Sequence, residues 1–242
     1  MPMRRAAAVT TRWHVYASAE ALADRAAQVV IRCASEATAQ RGAFSLVLAG
    51  GSTPRAVYER LRRLPADWRR WEVWFGDERC LPDGDAQRND VMAHDALLAH
   101  VPIPAQRVHR VPAQDGAKAA ATAYGAAVGA AGRFDLVLLG LGEDGHTASL
   151  FPGRPVGDEP DAAAALAVGG APKPPAERVS LSARRLADAR QVMFLVTGRA
   201  KTDAVRAWHR GGDIPAARIA PPGGVDVWLD APAADGLCAG RR

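Results

Sequence analysis

The sequence predicts an α/β fold, a three-layer Rossmann-like domain over residues 1–242 with a mainly parallel sheet flanked by helices. Three observations lead there. Short apolar runs rich in Val, Leu and Phe alternate with Ala-rich stretches of helical period, the pattern of strands covered on both faces by helices. Three of these runs, at residues 44–54 (FSLVLAGGSTP), 71–79 (WEVWFGDER) and 134–153 (FDLVLLGLGEDGHTASLFPG), stop at polar, Gly-containing stretches. Ligands of open α/β sheets sit beyond the carboxyl ends of the strands, so these three endings are expected to converge on one site. Finally, a chain of 242 residues without a linker suits one domain better than two.

Composition narrows the partners. The 31 basic against 26 acidic residues give a net charge of +5, with the arginines scattered as doublets. Such a surface suits small anions rather than nucleic acid. Lys118, Lys173 and Lys201 are the only lysines, so each is more telling than an arginine. Cys33, Cys80 and Cys238 are odd in number and show no CxxC spacing, which fits a reducing compartment and argues against a disulfide framework or a zinc site. Cys80 could line the site beside Arg79, but no neighbouring His would activate it. The opening MPMRRAAAVTTRW has only residues 6–9 as an apolar core, too short for a signal segment, and no run approaches the roughly 18 apolar residues of a membrane span. The expectation is a cytoplasmic protein, monomer or weak dimer, without membrane or nucleic-acid partners.

Taken in order, residues 13–17 read as a strand, and Ser18 as the N-cap of a helix with Glu20 in its first turn. That helix buries Leu22, Ala26, Val29, Val30 and Cys33 until Gly42 stops it. After the strand from Phe44, Thr53 and Pro54 read as N-cap and first helical residue, with Val57, Tyr58 and Leu61 facing inward. The Gly50–Gly51–Ser52–Thr53 turn therefore opens on a helix N-terminus, where free amides and the dipole attract an anion. Asp77 and Arg79 follow a Trp/Val/Phe strand directly, a position that suits a pocket better than a surface ion pair. Asn89 or Asp90 then caps a helix through Met92, Leu97 and Leu98, and a short strand near Val108 precedes an Ala-rich helix over residues 117–131. Residues 157–175, rich in Pro, Gly and Ala, with a strand across 166–168, read equally as a lid or a long connection. A strand at 179–181, Ser182 as a cap, a strand at 192–196, a helix from near Ala200 and a last strand at 225–230 complete the chain. Lys201 falls in the first turn of that helix, where a cation opposes the dipole unless an anion shares the site.

The central loop contains a false lead. Gly140, Gly142 and Gly145 spell GxGxxG after a strand, but Glu143 and Asp144 would put carboxylates at a phosphate, and Pro152 and Pro155 leave little room for the helix that a dinucleotide site requires. A metal site on Asp144 and His146 lacks a further His or carboxylate at ligand spacing.

GGSTP, GDER, GLGEDGHTASLFPG, KPPAERVSLS and TGRAKTDAV, in this order and spacing over most of the chain, resemble the 6-phosphogluconolactonases of the pentose phosphate pathway. The wider superfamily includes glucosamine-6-phosphate deaminase/isomerases, which share the GGSTP-like and DGH elements. Those enzymes read DEY at the first Asp motif and continue the His loop toward an FNEP-like sequence with a catalytic Glu. This chain has Arg79 and SLFPG instead. It departs from the lactonase pattern at Arg88, where the family commonly shows a small Ser. The resemblance implies hydrolysis of a phosphosugar δ-lactone, with no cofactor. That reaction needs an oriented water, a base near neutrality and a countercharge for the oxyanion. His146 would be the base, Asp144 or Asp77 would orient it, and Arg79 would face the oxyanion or the phosphate. Gly50, Gly51, Ser52, Thr53 and Lys201 would hold the 6-phosphate, with Arg178 a further candidate. The rivals are the isomerising deaminase and a non-enzymatic sugar-phosphate sensor; retention of His146, Asp144 and Arg79 together speaks against the sensor.

Overall fold

The computed structural model describes residues 10–238, so the opening stretch through Val9 lies outside the described residues. The chain runs β1 (Thr11–Tyr16), α1 (Ala19–Arg41), β2 (Phe44–Leu48), α2 (Ser52–Leu61), β3 (Trp71–Phe75), β4 (Asp77–Arg79), α3 (Asn89–Ala96), β5 (Val108–His109) and α4 (Ala117–Ala130). It continues through β6 (Phe134–Leu139), β7 (Ala165–Val168), β8 (Arg178–Leu181), α5 (Ala183–Ala187), β9 (Ala189–Val196), α6 (Thr202–His209), β10 (Val225–Asp230) and α7 (Ala231–Cys238). Local signals read from the sequence set several boundaries. Ser18 Oγ accepts the Ala21 N–H at 3.2 Å, and Gly42, left-handed at φ 80, closes α1 by donating its N–H to the Thr38 carbonyl.

Seven strands form a parallel sheet in the order β1-β10-β9-β6-β2-β3-β5. From β2 the chain winds outward to β3, and from β6 it winds the other way to β9, so the strand order reverses between β2 and β6. That reversal opens the crevice in which such sheets bind ligands. The strands flanking it bury Leu46, Val47, Leu48, Leu136, Val137, Leu138 and Leu139. Two tyrosines inside the core satisfy their hydroxyls on strand ends: Tyr58 bonds the N–H and carbonyl of Ala49, and Tyr124 those of Phe75. Burial pushes both phenols well above their ordinary range.

One expectation is corrected. The run at residues 71–79 does not end in a loop: after Gly76 the chain leaves the large sheet and Asp77–Arg79 becomes a strand of a second, antiparallel sheet, β4-β8-β7. Gly76 joins the two sheets, its N–H donating to the Leu48 carbonyl and its carbonyl accepting the Leu181 N–H. Within residues 157–175, β7 pairs along β8 and packs on α4, where a Cβ on Gly125 would stand 3.6 Å from the Ala165 Cβ. This part of the connection is thereby fastened to the body. No helix among the described residues is long and apolar enough to cross a membrane.

Candidate active site

The loop after β6 presents His146. Gly142 donates its N–H to the His146 carbonyl at 2.8 Å, and Gly145, at φ 87, donates to the Gly142 carbonyl at 3.1 Å, folding the loop back on itself. The imidazole lies against Gly142, where a Cβ would fall 2.0 Å from Nδ1, so this glycine of the misleading GxGxxG makes room for the histidine. No helix follows it. Asp144 Oδ1 stands 2.6 Å from His146 Nδ1 and also accepts the His146 N–H at 3.1 Å. Burial works against the charge on Asp144, but the bonds to the His146 backbone and ring outweigh it and hold its carboxyl below the ordinary range. An ionised Asp144 keeps the ring proton on Nδ1 and leaves Nε2 as the nitrogen free to accept one. The Phe151 ring, 4.9 Å from the imidazole, packs beside it.

Asp77 is engaged elsewhere. Its Oδ2 accepts the Ser149 hydroxyl at 2.6 Å and its Oδ1 the Asn89 amide at 3.1 Å. Of the two carboxylates left open by the sequence, Asp144 is the one hydrogen-bonded to the imidazole, while Asp77 ties β4 to the His146 loop. Three residues of this network escaped the sequence reading as site residues: Glu78, Asn89 and Ser149. Glu78, fully buried, accepts the backbone N–H groups of Arg79, Asn89 and Asp90 at 2.7–2.8 Å. It therefore caps α3 from outside, where Asn89 or Asp90 was expected to cap it from within. Burial raises the Glu78 carboxyl to about 7 despite those three bonds. An acid between two site residues, one short loop before a helix N-terminus, was the available signal. Asn89 rests on Gly50, where a Cβ would come within 2.0 Å of its Oδ1. Arg88 is a buried strut, joined to Asp90 by two bonds of 3.0 Å and to the Val111 carbonyl at 3.1 Å.

A cleft of about 200 Å³ lies between these loops, and its walls include Gly50, Gly51, Asp77, Arg79, His146, Arg178 and Lys201. Asp144 stands behind His146, outside the wall. Ser52 and Thr53 are also outside it, because α2 begins at Ser52 with Gly51 (φ 102) as its N-cap, not at Pro54 with Thr53 as the cap. The Thr53 hydroxyl instead meets that of Thr197 at 2.6 Å. Cys80 is not a wall residue either, and burial raises its thiol away from the reactive thiolate. A larger hollow of about 440 Å³ under Trp74 and His109 contains none of the expected residues.

The cleft gathers positive charge. Arg79 and Arg178 are direct partners across the β4–β8 ladder, an arrangement unfavourable for like charges unless an anion joins them. Arg79 Nε is buried without a hydrogen-bond partner, while its Nη1 holds the Gln87 carbonyl. Arg178 donates to the Lys173 carbonyl at 2.8 Å. Burial lowers its pKa, Asp77 opposes the shift and Arg79 adds to it. Lys201 is half-buried, and burial lowers its pKa while Glu143 pulls it back up.

Comparisons with known proteins show what the whole chain is similar to. The family model described as glucosamine-6-phosphate isomerases/6-phosphogluconolactonase matches residues 17–228. A 6-phosphogluconolactonase of Streptomyces coelicolor is 38% identical over 235 residues, covering 89% of this chain and 90% of its own. The solved 6-phosphogluconolactonase of Trypanosoma brucei superposes with a TM-score of 0.81 at 29% identity, covering 95% of this chain and 99% of that one. A monomeric glucosamine-6-phosphate deaminase also superposes at 0.81, covering 93% of this chain and 99% of its own, but at 21% identity that likeness speaks for the fold alone.

Proposed function

The chain belongs to the glucosamine-6-phosphate isomerase/6-phosphogluconolactonase family, and we propose that it hydrolyses 6-phospho-D-glucono-1,5-lactone to 6-phosphogluconate, as the oxidative branch of the pentose phosphate pathway requires. The observation that carries this reading is the Asp144-backed imidazole opening on a cleft whose other charged walls are mainly cations. His146 Nε2 takes a proton from water as the oxygen attacks C1 of the lactone. The carbonyl oxygen becomes an oxyanion beside the unpartnered Nε of Arg79. Collapse breaks the bond from C1 to the ring oxygen, and the imidazolium returns its proton to that oxygen, leaving the open-chain acid. Gly50 and Gly51, at the N-terminal end of α2, receive the 6-phosphate together with Lys201, while Arg178 supplements the charge beside Arg79. Asp77 keeps β4 and the His146 loop in register. No cofactor or metal enters these steps. The protein acts in the cytoplasm on a free small molecule, as a monomer or weak dimer, through one domain over residues 1–242.

An isomerising deaminase needs an acid for the amine, and where such a loop carries a Glu this chain has Ser149, Leu150, Phe151 and Pro152. The test is chemical. Protein treated with EDTA and given no nucleotide is expected to open the lactone faster than a protein-free control and to release no ammonia from glucosamine 6-phosphate. Ammonia release at a rate comparable to lactone opening would favour the deaminase, and inactivity on both would favour the sensor.

A further inference from the structure

The cationic end of the cleft depends on a turn that is held from behind. Lys201 enters the cleft from the single 3-10 turn Arg199–Lys201, directly before α6. The positive end of the α6 dipole disfavours a cation at that position, so the direction of this side chain needs a mechanical cause. Asp230, the last residue of β10 and 5% exposed, lies behind the turn. Both of its carboxylate oxygens accept the Gly198 N–H at 3.0 Å, and Oδ1 also accepts the Ala233 N–H of α7 at 3.0 Å. Gly198 sits at φ 95, in the region that favours glycine, and this turns the chain from β9 toward Lys201. On the opposite side the Thr197 hydroxyl meets Thr53 of α2 at 2.6 Å. The turn is thus fastened to α7 through Asp230 and to the anion-facing helix through Thr53.

We infer that Asp230 is a positioning residue for the phosphate end of the cleft, its carboxylate fixing the 197–201 turn so that Lys201 meets the 6-phosphate. The inference rests on the assignment of Lys201 to phosphate made above. Both carboxylate oxygens stand 3.0 Å from the Gly198 nitrogen, whereas an asparagine offers one oxygen there and sets an NH₂ donor against the same N–H. Asp230→Asn therefore loosens the turn without changing the volume behind it. A residue that only stabilised the fold would weaken turnover of every substrate alike. A residue that aims Lys201 weakens recognition of the phosphorylated one.

The experiment compares wild type, Asp230→Asn and Lys201→Ala on 6-phosphoglucono-δ-lactone and on unphosphorylated glucono-δ-lactone. Lys201→Ala is expected to lower the ratio of kcat/KM for the phosphorylated over the unphosphorylated lactone by about 10- to 100-fold, as befits one lost charge-assisted contact. Asp230→Asn is expected to lower the same ratio by about tenfold, with the loss carried by KM for the phosphorylated lactone rather than by kcat. Should Asp230→Asn fail to fold, Thr197→Val frees the same turn from its other side, and a smaller loss of the same ratio is expected. If Lys201→Ala leaves the ratio unchanged, the phosphate assignment falls and the inference with it. If Lys201→Ala lowers the ratio while Asp230→Asn, or Thr197→Val in its place, weakens both substrates equally or neither, the assignment stands and the positioning role is overturned.

Discussion

In the large sheet, β2, β6 and β9 bury Leu46, Val47, Leu138, Met193 and Phe194, while the small sheet buries Asp77, Glu78, Arg178 and Ser180. The first group needs only helices on either side. Each member of the second group needs a named partner: Ser149 and Asn89 for Asp77, three backbone amides for Glu78, and loop carbonyls for Arg178. Ser180 in turn accepts the Ser149 N–H at 3.2 Å. The difference teaches where this molecule keeps stability and where it keeps specificity. Apolar strands hold the crevice open, and a short polar sheet supplies charges that favour a ligand more than they favour folding.

Substitutions in the two sheets should separate these roles. Leu138→Ala, at a fully buried position in β6, is expected to cost about 2–5 kcal/mol of stability by leaving a cavity, while the folded fraction keeps its kcat; urea titration and steady-state kinetics on one preparation check both. Arg79→Gln, in β4, should do the reverse. It removes the charge-assisted contact proposed above, worth roughly 1.5–3 kcal/mol, or about 10- to 100-fold in kcat/KM, and leaves stability equal or slightly higher because Arg178 no longer faces a like charge. If Arg79→Gln destabilised the fold as much as Leu138→Ala does, the division between the sheets would fail.

A smaller, pH-dependent effect belongs to Glu78. Its carboxyl is raised from 4.5 to about 7, chiefly by burial. The protonated form therefore favours the folded state, a contribution fully present below the unfolded pKa and lost as the pH rises through the folded one. Relative to Glu78→Gln, which does not titrate, wild type is expected to lose stability between about pH 5 and about pH 8, by no more than about 3 kcal/mol. Urea midpoints of both proteins across that range measure it, and a gap that stays constant or widens in favour of wild type would contradict the sign.

Much of the large sheet was legible because its signals are local. The apolar runs, Ser18 before a helix and Gly42 after it required only neighbouring residues. The glycines of both crevice loops and His146 were legible on the same terms. The small sheet was not, because Asp77 meets Ser180 and Arg79 meets Arg178 only when segments a hundred positions apart pair. For the same reason the choice between Asp144 and Asp77 stayed open in the sequence: Asp144 is two residues from His146, and Asp77 is withdrawn by Ser149, a partner visible only in three dimensions. The α2 boundary was misread by two residues because Gly51, at φ 102, takes the cap position and leaves Thr53 free to meet Thr197.

The central claim is that His146 accepts the proton of the attacking water, and His146→Asn tests it most directly, because asparagine retains a polar side chain without a titratable nitrogen. Initial rates of lactone opening, corrected for spontaneous hydrolysis, are to be measured beside calorimetric affinity for the product 6-phosphogluconate. The expected result is a fall in kcat of about 10²–10⁴-fold, with product affinity almost unchanged, since the phosphate contacts proposed above lie on other loops. A folded His146→Asn protein with near-normal kcat would contradict the account.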